Sequence, residues 1–132
     1  MLIEERLSGD VAVVEIKGDI TLGQGGDVLL KDKVRSLLKR GHRKLLLDLG
    51  DVSYVDSAGL GQLVQVYATT SHLGGAMKLV RVGPRLKDLL VLTKLITVFE
   101  THETEADALA SFGTAAKAST DALSGVPSGR RA

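Results

Sequence analysis

Lys44-Leu45-Leu46-Leu47-Asp48-Leu49, followed by Gly50 to Val55 and then by Asp56-Ser57-Ala58-Gly59-Leu60-Gly61, is the stretch on which the fold turns. Its first six residues form an apolar run too short for a helix, the pattern of a strand covered on both faces. Its last residues open a segment with helical spacing. Leu60, Leu63, Val64 and Tyr67 share one face of a helix expected from Ser57 to about Leu73, closed by Gly74-Gly75. A buried strand leading into an amphipathic helix is the unit from which parallel sheets are assembled.

Outward from this unit the pattern repeats. Upstream, residues 2–6 and 11–17 read as two strands joined by the turn Ser8-Gly9-Asp10. Gly18 to Gly26 reads as a loop. Asp27 is expected to N-cap a helix to about Arg40, with Leu30, Val34, Leu37 and Leu38 as its apolar stripe and Gly41 as its stop. Downstream, Met77 to Val82 is a strand, and Pro84 suits the first turn of a helix ending near Thr93, with Leu86, Leu89 and Leu90 inward. Ile96 to Glu100 reads as a last short strand, and Thr104 as the N-cap of a final helix with Leu109 and Phe112 facing in. The expected fold class is α/β: a small open mixed sheet, an N-terminal hairpin followed by parallel β-α units, with about four helices.

The 132 residues suit one domain, over residues 1–112, and 44% hydrophobic residues can fill its core. Residues 113–132 are nearly all small and polar and read as a flexible tail. The net charge of +1 divides into −1 for the folded part and +2 for the tail. Such a balance excludes a broad grip on duplex nucleic acid, and 3% aromatic residues exclude stacking platforms for single strands. The absence of Cys removes thiolate metal sites and cysteine nucleophiles. The start Met1-Leu2-Ile3-Glu4-Glu5-Arg6 lacks the features of a signal peptide. The apolar run Leu89 to Leu92 is far short of the roughly 20 residues needed for membrane insertion, so a cytoplasmic location is expected.

Most chemistry-bearing residues have plain explanations. His42, His72 and His102 stand apart and read as solvated surface groups rather than metal ligands. Ser57 lacks the glycine two residues earlier that a hydrolase elbow requires, so no catalytic residue is expected. Gly23-Gln24-Gly25-Gly26 lacks the Lys and Ser/Thr of a phosphate loop, and no cofactor is expected there. The basic run Lys39 to Lys44 complements a helix dipole and a solvated turn.

Asp51 to Gly61 does not reduce to such an account. Ser57 is read as the helix N-cap, which leaves Gly59 and Gly61 in the first turn, where each costs about 1 kcal/mol relative to Ala. Missing side chains let another backbone or a partner come close. A helix N-terminus also tolerates added negative charge, so a phosphate on Ser57 would act on whatever docks there rather than on the fold. The segment lies at the C-terminal end of a strand, where sites in open α/β sheets form. Tyr54 and Tyr67 bracket Ser57 in sequence, Tyr54 as an edge of the surface and Tyr67 as packing.

Val55-Asp56-Ser57-Ala58-Gly59-Leu60-Gly61 in this strand–helix setting resembles the signature of the STAS domain family, specifically the anti-sigma factor antagonists. The resemblance extends over residues 2–112, including Gly18-Asp19-Ile20, the Lys44–Asp48 strand and Lys78-Leu79-Val80. It implies a protein that binds an anti-sigma factor serine kinase and frees the sigma factor, until phosphorylation of Ser57 abolishes binding and a serine phosphatase restores it. It implies docking through Asp56, Ser57, Ala58, Gly59, Leu60 and Gly61, with Asp19, Ile20 and Thr21 of the neighbouring loop. ATP and magnesium would belong to the kinase, and the chain would be a substrate. Apart from the resemblance, a monomer or weak dimer is expected, and the sequence does not show whether the domain pairs with itself. The chain departs from the family at Thr21, where many members are acidic, and in the extra glycine-rich residues after it. The alternative kept open is a scaffold or accessory subunit of a transporter or signalling assembly, with Ser57 only a helix cap.

Overall fold

The computed structural model describes residues 2–21 and 26–113. The chain runs β1 (Leu2–Ser8), β2 (Val11–Ile20), α1 (Gly26–Lys39), β3 (Lys44–Val55), α2 (Ser57–His72), β4 (Ala76–Val80), α3 (Pro84–Leu92), a 3-10 turn (Leu95–Thr97), β5 (Thr101–His102) and α4 (Glu105–Ser111). The strands lie in chain order, β1-β2-β3-β4-β5. The first pair is antiparallel and the rest are parallel, as the hairpin followed by β-α units requires. Right-handed crossovers that always step in one direction place their helices on one face. Accordingly α1, α2 and α3 cover the same side of the sheet. Leu30, Val34, Leu63 and Leu90 meet Val14, Leu45, Leu47 and Leu79 there, all fully buried. The opposite side is covered by α4, whose Ala108 seals Val11, Val13, Leu46 and Val80.

The local signals place most elements. Gly41, with φ of 93°, ends the first helical segment in a conformation only glycine adopts freely. Pro84 opens α3, and the Thr104 hydroxyl accepts the Asp107 N–H at the start of α4. Tyr67 is packing, as expected: its ring meets Phe99 edge-on at 5.2 Å.

Four expectations need correction. The helix α1 begins at Gly26, so Asp27 lies inside it rather than at its cap. Gly18 to Ile20 belongs to β2, not to a loop, with the ladder slipping around Gly18. The Ile96 to Glu100 segment is not a strand. Lys94 takes a left-handed φ of 64°, ends α3 and starts the 3-10 turn, so Phe99 reaches the core from a turn and the strand follows at Thr101. Finally, β3 does not stop at Leu49 but runs on to Val55.

That extension positions the site. β4 pairs with β3 only as far as Asp48, whereas β2 stays paired to Val55 through Lys17↔Asp51, Gly18↔Val52 and Ile20↔Val55. The ends of β2 and β3 therefore project together beyond the rest of the sheet. α2 starts from the tip of that projection.

Candidate functional site

Asp56, immediately after β3, has extended backbone (φ −88°, ψ −179°), and its carboxylate accepts the Gly59 N–H at 2.7 Å. It is the N-cap of α2, a correction to the assignment of that role to Ser57. Ser57 is the first helical residue, and its side chain is exposed. Its hydroxyl is thus not consumed by the cap bond, and the helix keeps its cap when that hydroxyl is altered.

The glycines serve two different purposes. Gly59 is buried, and a Cβ there would fall on the Ile20 carbonyl, 2.9 Å from its carbon. The close approach inferred from the missing side chain is therefore made by the chain's own β2. The Asp56 N–H donates to the same Ile20 oxygen at 3.3 Å, which ties the two strand tips to the helix start. Gly61, by contrast, is exposed and faces open space.

Of the residues assigned to docking, Ser57 and Gly61 are exposed, and Asp19, Thr21, Asp56 and Ala58 are half-buried. The structure brings the 19–21 and 56–61 segments together through the Ile20 carbonyl, which meets Asp56 and Gly59. Ile20, Gly59 and Leu60 lie beneath this surface, with Ile20 fully buried and Leu60 8% exposed. They shape the patch rather than present themselves on it. The loop residues Gly23, Gln24 and Gly25 lie outside the described residues.

Beside Ser57 a groove of about 580 Å³ opens between the tip of β3 and the start of α3. Tyr54, Val55 and Ser57 form one wall, Pro84, Arg85 and Leu89 the other. Tyr54 is 50% exposed and edges this groove, as its position in sequence suggested. The α3 wall was not visible in the motif. Its signal was the Gly83-Pro84 turn, which follows the strand adjacent to β3 and so must emerge alongside Ser57.

Below the projection, Asp48 is buried and its carboxylate takes both Arg81 Nε at 2.9 Å and a terminal guanidinium nitrogen at 3.0 Å. The same carboxylate accepts the Gly50 N–H at 3.0 Å, and its hydrogen bonds and charge raise the arginine's affinity for its proton. Arg81 adopts a left-handed φ of 57° and lies over Gly50, where a Cβ would strike the guanidinium. This clamp fixes β3 to β4 at the point where β3 leaves the sheet.

Among the described residues, no group of three or more His, Asp or Glu side chains is placed to hold a metal ion, and no helix is long and apolar enough to cross a membrane. The reading of the histidines as solvated holds for His72. His42 is half-buried, and His102 is half-buried with its Nε2 2.6 Å from Glu100 Oε2.

Known proteins resemble this chain in sequence and in fold. A Thermotoga neapolitana protein whose name contains the words anti-sigma factor antagonist is 35% identical over 72 residues, 54% of this chain. The match spans 64% of that relative, so the chain covers less than two thirds of its length. The anti-sigma-B factor antagonist of Bacillus subtilis (strain 168) is 31% identical over 97 residues, covering 69% of this chain and 88% of the relative. The anti-sigma factor antagonist SpoIIAA has the same fold in its unphosphorylated and phosphorylated forms. The TM-scores are 0.65 and 0.66 at 14% identity, over 84% of this chain and 97% or 99% of SpoIIAA. Residues 3–108 match the model of the STAS domain, and the chain belongs to that family.

Proposed function

We propose that the chain is a phosphorylation-switched anti-sigma factor antagonist. In its unphosphorylated form it binds an anti-sigma factor that is also a serine kinase, and so releases the sigma factor. The observation that carries this reading is the exposed Ser57 hydroxyl one residue beyond a cap supplied by Asp56. The relatives' names and the phosphorylated form of SpoIIAA support it. The kinase would bring ATP and magnesium. Ser57 Oγ would attack the γ-phosphorus, lose its proton and expel ADP, and a serine phosphatase would later hydrolyse the ester.

The phosphate adds roughly −1.5 to −2 charges at neutral pH. It would stand beside Asp56, within a patch that also holds Asp19. The helix N-terminus tolerates that charge within the fold, whereas a partner shaped to the neutral surface meets repulsion and a desolvation cost. Docking would use Asp19, Thr21, Asp56, Ser57, Ala58 and Gly61 at the surface, held in shape by Ile20, Gly59 and Leu60. The scaffold alternative gave Ser57 the role of helix cap, and Asp56 holds that cap instead, which leaves Ser57 without that structural role.

Calorimetric titration against an anti-sigma kinase recovered by pull-down from the source cells tests the reading. The parent and Ser57→Ala are expected to bind, Ser57→Asp to bind at least ~10-fold more weakly, and phosphopeptide mapping to locate phosphate on Ser57. Equal binding by Ser57→Asp, or phosphate on another residue, would overturn it.

A further inference from the structure

β1 closes one side of the sheet, and among the described residues no strand lies beyond it. Such an edge offers unpaired backbone groups to any extended chain, and charged side chains normally discourage that pairing. Here the charges have a particular order. Ile3, Glu5 and Leu7 pair across to Ile16, Val14 and Ala12, so they point to the face covered by α1. Glu4 and Arg6 pair across to Glu15 and Val13 and point to the opposite face. Leu7 is 61% exposed, although it lies on the apolar face.

We propose that β1 pairs antiparallel with β1 of a second copy, about a twofold axis through Glu5. A twofold perpendicular to the sheet keeps both helix layers on one side, and it requires the axis to pass through a residue rather than between two. An axis at Glu4 sets Ile3 against Glu5 and Leu2 against Arg6 of the second copy. An axis at Arg6 sets two arginines face to face and Glu5 against Leu7. With the axis at Glu5, all seven residues of β1 pair. Glu4 then faces Arg6 of the second copy, Ile3 faces Leu7, and each relation occurs twice. Cross-strand pairs of opposite charge and of aliphatic residues stabilise a ladder, and like charges oppose it.

The one like-charge meeting in this register, Glu5 against Glu5, is already neutralised within each copy. Lys33 Nζ lies 2.9 Å from Glu5 Oε1, and Arg40 reaches both Glu5 oxygens at 2.8 and 2.9 Å. On the other face Arg6 is already paired with Glu15 at 3.0 Å and with Glu105, and Glu4 lies 3.8 Å from Lys17, so the Glu4–Arg6 pairs between copies would extend an ion-pair row that each copy already carries. The edge charges thereby favour one partner, a second copy in one register. The twofold sends the two Ser57 surfaces to opposite ends of the joined sheet, and both remain open.

An edge of this size buries less than a standard interface, so the dimer is weak. Sedimentation equilibrium of the full chain from about 10 μM to 1 mM is the test, since self-association follows mass action. The parent is expected to dimerise. Glu4→Arg and Arg6→Glu should each weaken dimerisation about 10-fold or more, because each sets like charges opposite one another. An equimolar mixture of the two variants should restore it. In the mixed pair the two introduced side chains face each other with opposite charge, and so do the unaltered Glu4 and Arg6. Leu7→Asp, at an exposed position, should weaken association as well and serves if Arg6→Glu fails to fold. A parent that stays monomeric throughout overturns the proposal. So does a dimer indifferent to these substitutions, or a mixture that fails to regain association.

Discussion

Gly59 of α2 rests against the carbonyl of Ile20 so closely that a Cβ would overlap the oxygen. This contact joins the tip of β2 to the first turn of α2 and sets the height at which Ser57 stands. Gly59→Ala is therefore expected to destabilise the fold. Its gain in helix propensity, about 1 kcal/mol, is outweighed by forced movement of backbone that costs about 1–3 kcal/mol. Gly61→Ala, two residues on and in open space, should instead stabilise the protein by up to about 1 kcal/mol. Urea unfolding of the two variants checks the opposite signs. Equal effects would mean that the Ile20 contact does not constrain α2.

Much of this architecture was legible because the signals were local. The Leu30-Val34-Leu37-Leu38 stripe, Gly41, Pro84 and Thr104 each act within one helix, through period, φ or a cap bond. The second half of β3 was not. Gly50, Asp51, Ser53 and Tyr54 carry no alternating apolar pattern, and what holds them extended is β2. Ile96 and Phe99 look like strand residues because they are apolar, yet a left-handed Lys94 puts them in a turn. The site divides in the same way. The Asp56 to Gly61 motif could be read from spacing, whereas the α3 wall of the groove comes from residues far along the chain. Asp56 and Ser57 are both good caps, and the end of β3 decides between them.

The Asp48–Arg81 clamp supports a second prediction. Removing the guanidinium leaves a buried carboxylate that still accepts the Gly50 N–H but has lost its counter-charge. Because Arg81 is half-exposed, the loss is less than for a fully buried pair, and Arg81→Ala is expected to cost about 1–3 kcal/mol. Asp48→Asn with Arg81→Ala should recover part of that loss, since no charge is then stranded. A double-mutant cycle in urea measures the coupling, and additivity of the two changes would contradict the clamp.

Acid should loosen the α1–β1 contact. Glu5 is held below the usual carboxylate range by hydrogen bonds from Lys33 and Arg40, against a partial desolvation. A carboxylate whose folded pKa is depressed contributes stability above its unfolded value, near 4.5. It loses that stability as pH falls through the lower folded value. Glu5→Gln is thus expected to be less stable than the parent at pH 7, with the gap closing below pH 4.5. The group is partly exposed, so the effect is modest and screened by salt. Thermal unfolding of dilute samples across this range tests it, and a gap that widens on acidification would reverse the sign.

The cap and the switch can be separated by substitution. Asp56→Ala removes the acceptor of the Gly59 N–H and should cost about 0.5–2 kcal/mol. Ser57→Ala removes an exposed hydroxyl outside that bond, so its effect should stay within about 0.5 kcal/mol. Ser57→Asp places a negative charge in the first turn of α2, where the aligned peptide dipoles favour it by about 0.3–1 kcal/mol at low salt. A charge that leaves the fold intact while weakening kinase binding is what a reversible switch needs. Unfolding curves run beside the titrations provide both halves. If Ser57→Asp unfolded the protein as readily as Asp56→Ala, weakened binding would reflect lost structure, and Ser57 could not serve as a site where charge alone acts on the partner.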